Sequence, residues 1–163
     1  MKYNNIYLDF DGVFVDSEER IIKYKEMHQD ISWKEFFEQL NWFEFLDECT
    51  EINDTIKIVQ ELQDKTTKIA VLTKIHTLLE MQAKVKFLRE KKKITVPIYF
   101  VPPHVKKSQI IIPTNNDLLI DDSQKNIDDW IAHGGIGIQF CEDLGEKEKT
   151  RTKSLKFLLQ EEL

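Results

Sequence analysis

The chain has 163 residues, 41% of them hydrophobic and 32% charged, which suits one compact domain with a real core and excludes wholesale disorder. Twenty-nine acidic residues against 23 basic ones give a formal net charge of −6, a surface that repels polyphosphate and disfavours extended nucleic acid as a partner. The N-terminal MKYNNIYLDF lacks a signal-peptide core, no apolar run approaches a membrane span, and Cys49 and Cys141 stand apart without a CxxC or Cys/His cluster, so the expectation is a reduced cytoplasmic setting with no membrane partner.

The first apolar segment, Ile6 to Leu8, reads as a strand running into Asp9-Phe10-Asp11-Gly12-Val13. About forty residues then precede the next helical pattern, more than one crossover needs. Ser32-Trp33-Lys34-Glu35 has the capping-box form, so this interval, 17–52, is expected to be a small helical cap inserted over one end of a sheet. Ile56, Val59 and Leu62 form a helical stripe opened by Asn53/Asp54 as a cap. Further strands are predicted at Ile69 to Leu72, Val96 to Val101, Leu118 to Ile120 and Ile136 to Phe140, separated by helical patterns. One of these has Leu78, Met81, Val85 and Leu88 as its stripe, and the other follows Asp122-Ser123 and ends in Trp130-Ile131. The tail from Glu146 to Leu163 reads as an amphipathic helix with Leu155, Leu158 and Leu159 on one side.

Nearly all-apolar strands are buried on both faces. Their alternation with helices predicts an α/β fold of right-handed βαβ units, a doubly wound, parallel, five-stranded Rossmann-like sheet forming a single domain, 1–163.

Chemistry-bearing residues gather at one end of this sheet. Alternation along the first strand aims Asp9 and Asp11 to one side, at the carboxyl end where open α/β sheets place ligands. Taken alone, DxDG also describes an ordinary turn. Thr73 ends the second strand, Lys106-Lys107-Ser108 follows the third, and Asp121-Asp122-Ser123 ends the fourth. Each has a plain reading, as a β-branched strand residue, solvated lysines or a helix cap. Their common position at carboxyl ends is what the plain readings leave unexplained.

With these residues in place, the sequence resembles the haloacid dehalogenase (HAD) superfamily of phosphohydrolases. Asp9-x-Asp11-Gly12-Val13 is similar to the first motif of that superfamily, Thr73 to the second, Lys107 to the third, and Asp121-Asp122-Ser123-x-x-Asn126-Ile127 to the fourth. The resemblance spans about residues 6 to 140. Lys106 is a rival for the lysine position, whether Asp121 shares the metal role of Asp122 is left open, and Asn126 stands where many members carry an acid. More narrowly, DxDGVxxD with Asp16, together with the short insertion, resembles the 5′(3′)-deoxyribonucleotidase branch. GVFVDSE also resembles the β-phosphoglucomutase-like branch, whose caps are usually larger.

The resemblance implies that Asp9 attacks phosphorus to form an aspartyl-phosphate. Asp11 would protonate the leaving oxygen and then take a proton from water, while Thr73 and Lys107 hold the phosphoryl oxygens. It also implies Mg²⁺, held by the carboxylates of Asp9 and Asp122 and the backbone carbonyl of Asp11. Two like charges ~4 Å apart repel by roughly 4 kcal/mol at an effective dielectric of ~20, and oxygen-only donors beside a phosphate favour Mg²⁺ over zinc. The expected substrate is a small phosphomonoester, foremost a (deoxy)nucleoside monophosphate. A phosphotransferase or phosphomutase is the nearest enzymatic alternative, and an inert binding module the alternative from another class. A response-regulator receiver is rejected by motif order, since here the lysine precedes the final acid pair.

Three further groups have two readings each. Trp33, Phe36, Phe37 and Leu40, with Trp42, Phe43 and Phe45, either pack the insertion onto the main domain or offer a wall for a nucleobase. The run Lys84, Lys86, Arg89, Lys91, Lys92 and Lys93 ends a helix, where cations complement the dipole, and lacks the interleaved aromatics of a nucleic-acid patch. His76 and His104 lie just beyond strand ends, where they line a pocket or simply face solvent.

Overall fold

The computed structural model describes residues 3–145 and 150–160. Its sheet is parallel throughout, in the order β3-β2-β1-β4-β5-β6. The strands are β1 (Asn5–Leu8), β2 (Ile69–Lys74), β3 (Ile98–Val101), β4 (Asp117–Asp121), β5 (Ile136–Phe140) and β6 (Arg151–Thr152). The sixth strand corrects the expected five. Thr150, Arg151 and Thr152 run beside β5, with Gln139 and Cys141 donating to the Thr150 and Thr152 carbonyls.

Pleating sends alternate side chains to opposite faces. On one face Ile6, Leu8, Ile69, Val71, Leu118 and Ile120 join the larger core. On the other, Tyr7, Ala70, Leu72 and Leu119 pack with Val101, Ile127 and Trp130. Both faces are covered, which is why these strands read as continuous apolar runs rather than alternating ones.

The helices are α1 (Ser17–Glu26), α2 (Trp33–Gln39), α3 (Trp42–Glu48), α4 (Thr55–Gln63), α5 (Leu78–Lys86), α6 (Lys107–Ile110) and α7 (Gln124–Ala132). Ser32 and Glu35 close the predicted capping box at α2. Ile56, Val59 and Leu62 of α4 are buried as their stripe requires, but Asp54 makes no side-chain cap and pairs instead with Lys156. Ser123 likewise occupies the cap position of α7 without a side-chain cap bond.

Helix α5 departs from its predicted stripe. Leu78 is 71% exposed and Val85 also faces out, whereas Glu80, Ala83 and Lys84 are buried, followed by Phe87 and Leu88 in a π-helical turn, Phe87–Lys91. The tail departs too. Instead of one helix, β6 is followed by a short 3₁₀ helix, Leu155–Gln160, whose Leu155 and Leu158 enter the larger core. The parts of that expectation at 146–149 and 161–163 lie outside the described residues.

Helices α1 to α3 leave and rejoin the sheet at one place. Val15 bridges Glu51, Asp16 N–H donates to the Thr50 carbonyl, and Ile52 N–H donates to the Phe14 carbonyl. The Asp16 carboxylate ties the two ends further by accepting from Arg20 and from Thr50 N–H. Among the described residues no helix is long and apolar enough to cross a membrane.

Candidate active site

In the order 3-2-1-4-5-6 successive strands are added in opposite directions on the two sides of β1, so β1 and β4 flank the topological switch point, where open α/β sheets bind ligands beyond their carboxyl ends. The predicted acids lie there. Asp9 directly follows β1, its N–H donating to the Ile120 carbonyl of β4, while Asp121 ends β4 and Asp122 follows it. Carboxylate oxygens of Asp9, Asp121 and Asp122 lie within 4.8 Å of one another. Phe10, between Asp9 and Asp11, turns the other way and stacks on Phe14 in the core.

The two lysines point in different directions. The Lys107 ammonium is buried, 2.9 Å from Asp9 Oδ1 and 2.5 Å from Asp121 Oδ2. Lys106 instead reaches Asp129, 2.6 Å away at the surface. The two residues open α6, so a backbone turn separates an inward lysine from an outward one.

Asp121 and Asp122 differ in the same way. The Asp121 oxygens already accept from Lys107, from Ser123 N–H at 2.9 Å and from the Asn126 amide at 3.0 and 3.2 Å. Asp122 makes no side-chain hydrogen bond or ion pair among the described residues, though Gln139 donates to its backbone carbonyl. Asn126 therefore serves Asp121 rather than Asp122. A cavity of about 320 Å³ opens beside Asp122 and Gly12, with Ile22, Phe140, Glu18 and Glu142 in its lining.

Asp11 belongs to a second set of partners. Ser17 Oγ donates to its Oδ1 at 2.6 Å, and the Lys84 ammonium to its Oδ2 at 2.6 Å. Thr73, fully buried at the end of β2, has its hydroxyl 3.5 Å from the same Oδ2. Lys84 also reaches Thr73 Oγ1 at 3.0 Å, Glu80 Oε1 at 2.9 Å and the Lys74 carbonyl at 2.8 Å.

The electrostatics separate these acids. Burial, reinforced by the charge of Asp121 and opposed by Lys107, raises the Asp9 carboxyl to about 7. Burial, then the charges of Asp9 and Asp121, raises Asp122 to about 8. Burial would raise Asp11 as well, but the Lys84 ammonium and the Ser17 hydrogen bond override it and hold that carboxyl below its usual value. Burial opposes the charged form of both lysines, yet their carboxylate partners win and raise both above the ordinary lysine value.

This donor set fits a hard divalent cation. All the side-chain donors are carboxylate oxygens, and those of Asp122 have no side-chain partner among the described residues. Gly12 leaves the approach open, because a Cβ there would stand 2.1 Å from Asp122 Oδ2.

The other groups resolve plainly. Phe36, Trp42 and Phe45 are buried in the larger core, so most of the aromatic stripe packs the insertion onto the domain, while Trp33 is 48% exposed. His76 stacks on Phe37, with ring centroids 3.7 Å apart. Part of the basic run is engaged within the chain, while Lys86 and Lys93 are exposed. Lys91 pairs with Asp47, Lys92 with Glu51, and Arg89 donates to the carbonyls of Ile94 and Val96. Sequence reading missed Ser17, Glu80 and Lys84; the available signal was the Glu80/Lys84 pair at i,i+4, the spacing of a helical ion pair.

No family model and no curated protein sequence matches the chain. Solved structures do. YfnB from Bacillus subtilis, described as a HAD-hydrolase and crystallised with magnesium, superposes with a TM-score of 0.64 at 13% identity, covering 98% of each chain. A HAD-superfamily hydrolase from Ehrlichia chaffeensis gives 0.60 at 10% identity, covering 98% of this chain and 95% of that one. A structure described as a dehalogenase gives 0.60 at 12% identity, covering 97% and 96%. The fold is the one these HAD hydrolases share.

Proposed function

We propose that this chain is a Mg²⁺-dependent hydrolase of small phosphomonoesters, working through an aspartyl-phosphate on Asp9. One observation carries the reading. Asp9 stands at the switch point between the Lys107 ammonium and the unengaged Asp122 carboxylate, with the Asp11, Thr73 and Ser17 set beside it.

Asp11, held ionised in the free protein by Lys84 and Ser17, first takes up a proton from solvent; Asp9 then attacks phosphorus and the leaving oxygen takes that proton from Asp11. Asp11, again a carboxylate, then takes a proton from the water that hydrolyses the acyl phosphate, returning Asp9. Lys107 and the Thr73 hydroxyl hold the phosphoryl oxygens, while Asp121, with both oxygens occupied, fixes Lys107. Asp9 and Asp122, with the backbone carbonyl of Asp11, would hold the cation. When bound, Mg²⁺ supplies the positive charge that lets a phosphate dianion approach several carboxylates.

In this reading α1 to α3 form a small cap, 17–52, on a single domain, and the setting is cytoplasmic. A cap of this size leaves the intermediate open to water, which favours hydrolysis over transfer to a second substrate. The narrower substrate is a (deoxy)nucleoside monophosphate, supported by the DxDGVxxD resemblance.

The test is phosphate release with Mg²⁺ over nucleotides, sugar phosphates and phosphopeptides, alongside Asp9→Asn. Turnover lost in that variant, with folding intact, is expected; full activity in it would remove the nucleophile. Preference for sugar phosphates over every nucleotide would remove the nucleotide reading alone. A dehalogenase has the same fold, so halide release is a separate arm, and activity only there would replace the phosphoryl reading. Absence of turnover in every arm favours an inert binding module.

A further inference from the structure

Lys84 has no place in the chemistry above, yet it is fully enclosed beside Asp11. Its ammonium is fully buried, 5.2 Å from the Phe10 ring centroid, and four acceptors converge on it. These are Asp11 Oδ2, Glu80 Oε1, Thr73 Oγ1 and the Lys74 carbonyl, all between 2.6 and 3.0 Å. Glu80 is itself 1% exposed and accepts from His76 N–H at 2.6 Å through its other oxygen.

Stability does not account for this arrangement. Burying an ion pair costs several kcal/mol of desolvation per ion, and apolar residues of similar volume commonly serve as well or better. Helix α5 had such residues to hand, but it turns Leu78 and Val85 outward and places Glu80 and Lys84 inside. What the pair achieves is local. Asp11 is gripped from both sides, Ser17 on Oδ1 and Lys84 on Oδ2. Lys84 donates to Thr73 Oγ1 at 3.0 Å while the Thr73 hydroxyl points its own donor at the Lys74 carbonyl, 3.3 Å away, and at Asp11 Oδ2, 3.5 Å away, so one ammonium sets the spacing between hydroxyl and carboxylate.

We infer that Lys84, held by Glu80, is a positioning residue that fixes the Asp11 carboxylate and the Thr73 hydroxyl relative to each other for phosphoryl transfer. The inference deepens the phosphohydrolase reading and rests on it for its kinetic consequences. Its geometric content stands on the structure alone. Lys107 does the corresponding work for Asp9 and Asp121, so each acid of the first motif has its own buried ammonium.

Two measurements test this, one of them independent of turnover. In the crystal structure of Glu80→Gln/Lys84→Met, which removes both charges together and so leaves neither buried alone, the Asp11 carboxylate is expected to rotate away from Thr73. Unchanged Asp11 and Thr73 rotamers would overturn the inference whatever the activity. The kinetic measurement compares kcat/KM for an alkyl phosphomonoester, 2-glycerophosphate, with that for 4-nitrophenyl phosphate, whose leaving group departs without a proton. General acid catalysis contributes about 10²- to 10⁴-fold. Lys84→Met also lets the Asp11 carboxyl rise, which by itself would favour the acid, so a loss of about 100-fold on the alkyl ester against under about 10-fold on the aryl ester is expected from misplacement alone. Equal losses on both would mark Lys84 as a merely structural residue and overturn the proposal. Should Lys84→Met not fold, Lys84→Arg, which keeps the cation but moves its donors, takes the same comparison. A wild-type chain that hydrolyses neither ester defeats the phosphohydrolase reading, and the Asp11 rotamer still decides the positioning claim.

Discussion

Gly12 and Asp122 approach so closely that a methyl group on Gly12 would lie 2.1 Å from Asp122 Oδ2. Gly12 also has φ +73°, a left-handed conformation that costs an ordinary residue roughly 1–2 kcal/mol. The residue thus meets two demands at once: it lets the chain leave β1, and it keeps one face of the Asp122 carboxylate clear. Gly12→Ala is expected to destabilise the fold by roughly that strain and to displace Asp122, whose carboxylate has no side-chain partner among the described residues. The measurement is Mg²⁺ or Ca²⁺ binding by calorimetry, read beside thermal unfolding. Affinity unchanged in a folded Gly12→Ala protein would show that Asp122 does not bind the cation.

Asp9, raised to about 7 by burial and the charge of Asp121, and Asp122, raised to about 8 by burial and the charge of Asp9, make cation binding and proton binding compete. Both folded values lie above the ordinary carboxylate value, so the folded state holds these protons more tightly than the unfolded chain does. Their contribution to the stability of the metal-free protein is therefore present in acid and lost as pH rises toward 8. A cation needs both groups ionised, so its affinity moves the other way, rising from pH 6 to pH 8.5 with protons released on binding. The gain in melting temperature on adding Mg²⁺ should widen over the same interval. Calorimetry in buffers of different ionisation enthalpy counts the protons, and a pH-independent affinity would refute the competition.

The positions of Asp9, Thr73, Asp121 and Asp122 were legible in the sequence because each lies at the carboxyl end of an apolar run, where chain position dictates which end of the sheet a residue meets, whereas Lys107 follows β3 only after a loop. The choice between Lys106 and Lys107 was not legible, since one backbone turn at the start of α6 decides it. Helix α5 was misread for a related reason. Leu78, Met81, Val85 and Leu88 form the apolar stripe that ordinarily faces a core, but the inner face is held by Glu80 and Lys84 around Asp11 and Thr73. Burying charge makes sense only once the partner from another strand end is present, and the spacing within α5 carries no trace of that partner. The sixth strand escaped because two residues beside β5 leave no periodicity to find.

Lys107 is the sole cation within salt-bridge distance of Asp121 among the described residues, and Asp121 is wholly buried. Removing that charge leaves a carboxylate with only Ser123 N–H and the Asn126 amide for partners. Breaking a buried ion pair on one side commonly costs about 3–5 kcal/mol. Lys107→Met is expected to lose stability of that size at pH 8 in the metal-free protein, and less with saturating Mg²⁺, whose charge lies beside the same acids. Urea denaturation with and without Mg²⁺ measures both, and a Lys107→Met protein as stable as wild type would contradict the ion-pair account.

Trp42 tests how the insertion is anchored. Its ring is 1% exposed, its indole N–H donates to the Phe37 carbonyl at 3.0 Å, and it lies against Phe45 and parallel to Phe37. Phe37 in turn stacks on His76, whose backbone N–H is held by Glu80. The contact between α2 and α3 therefore runs continuously to the helix that carries Lys84. Replacing a buried tryptophan with alanine costs about 3–5 kcal/mol through lost burial and the cavity left behind. Trp42→Ala is expected to lose that much in denaturant midpoint terms. Hydrogen exchange should quicken first in α2 and α3, whose amides depend on this contact, and later in β1 and β4, which are paired on both sides. Uniform acceleration across the sheet would mean instead that the insertion and the sheet unfold as one cooperative unit, with Trp42 part of the common core.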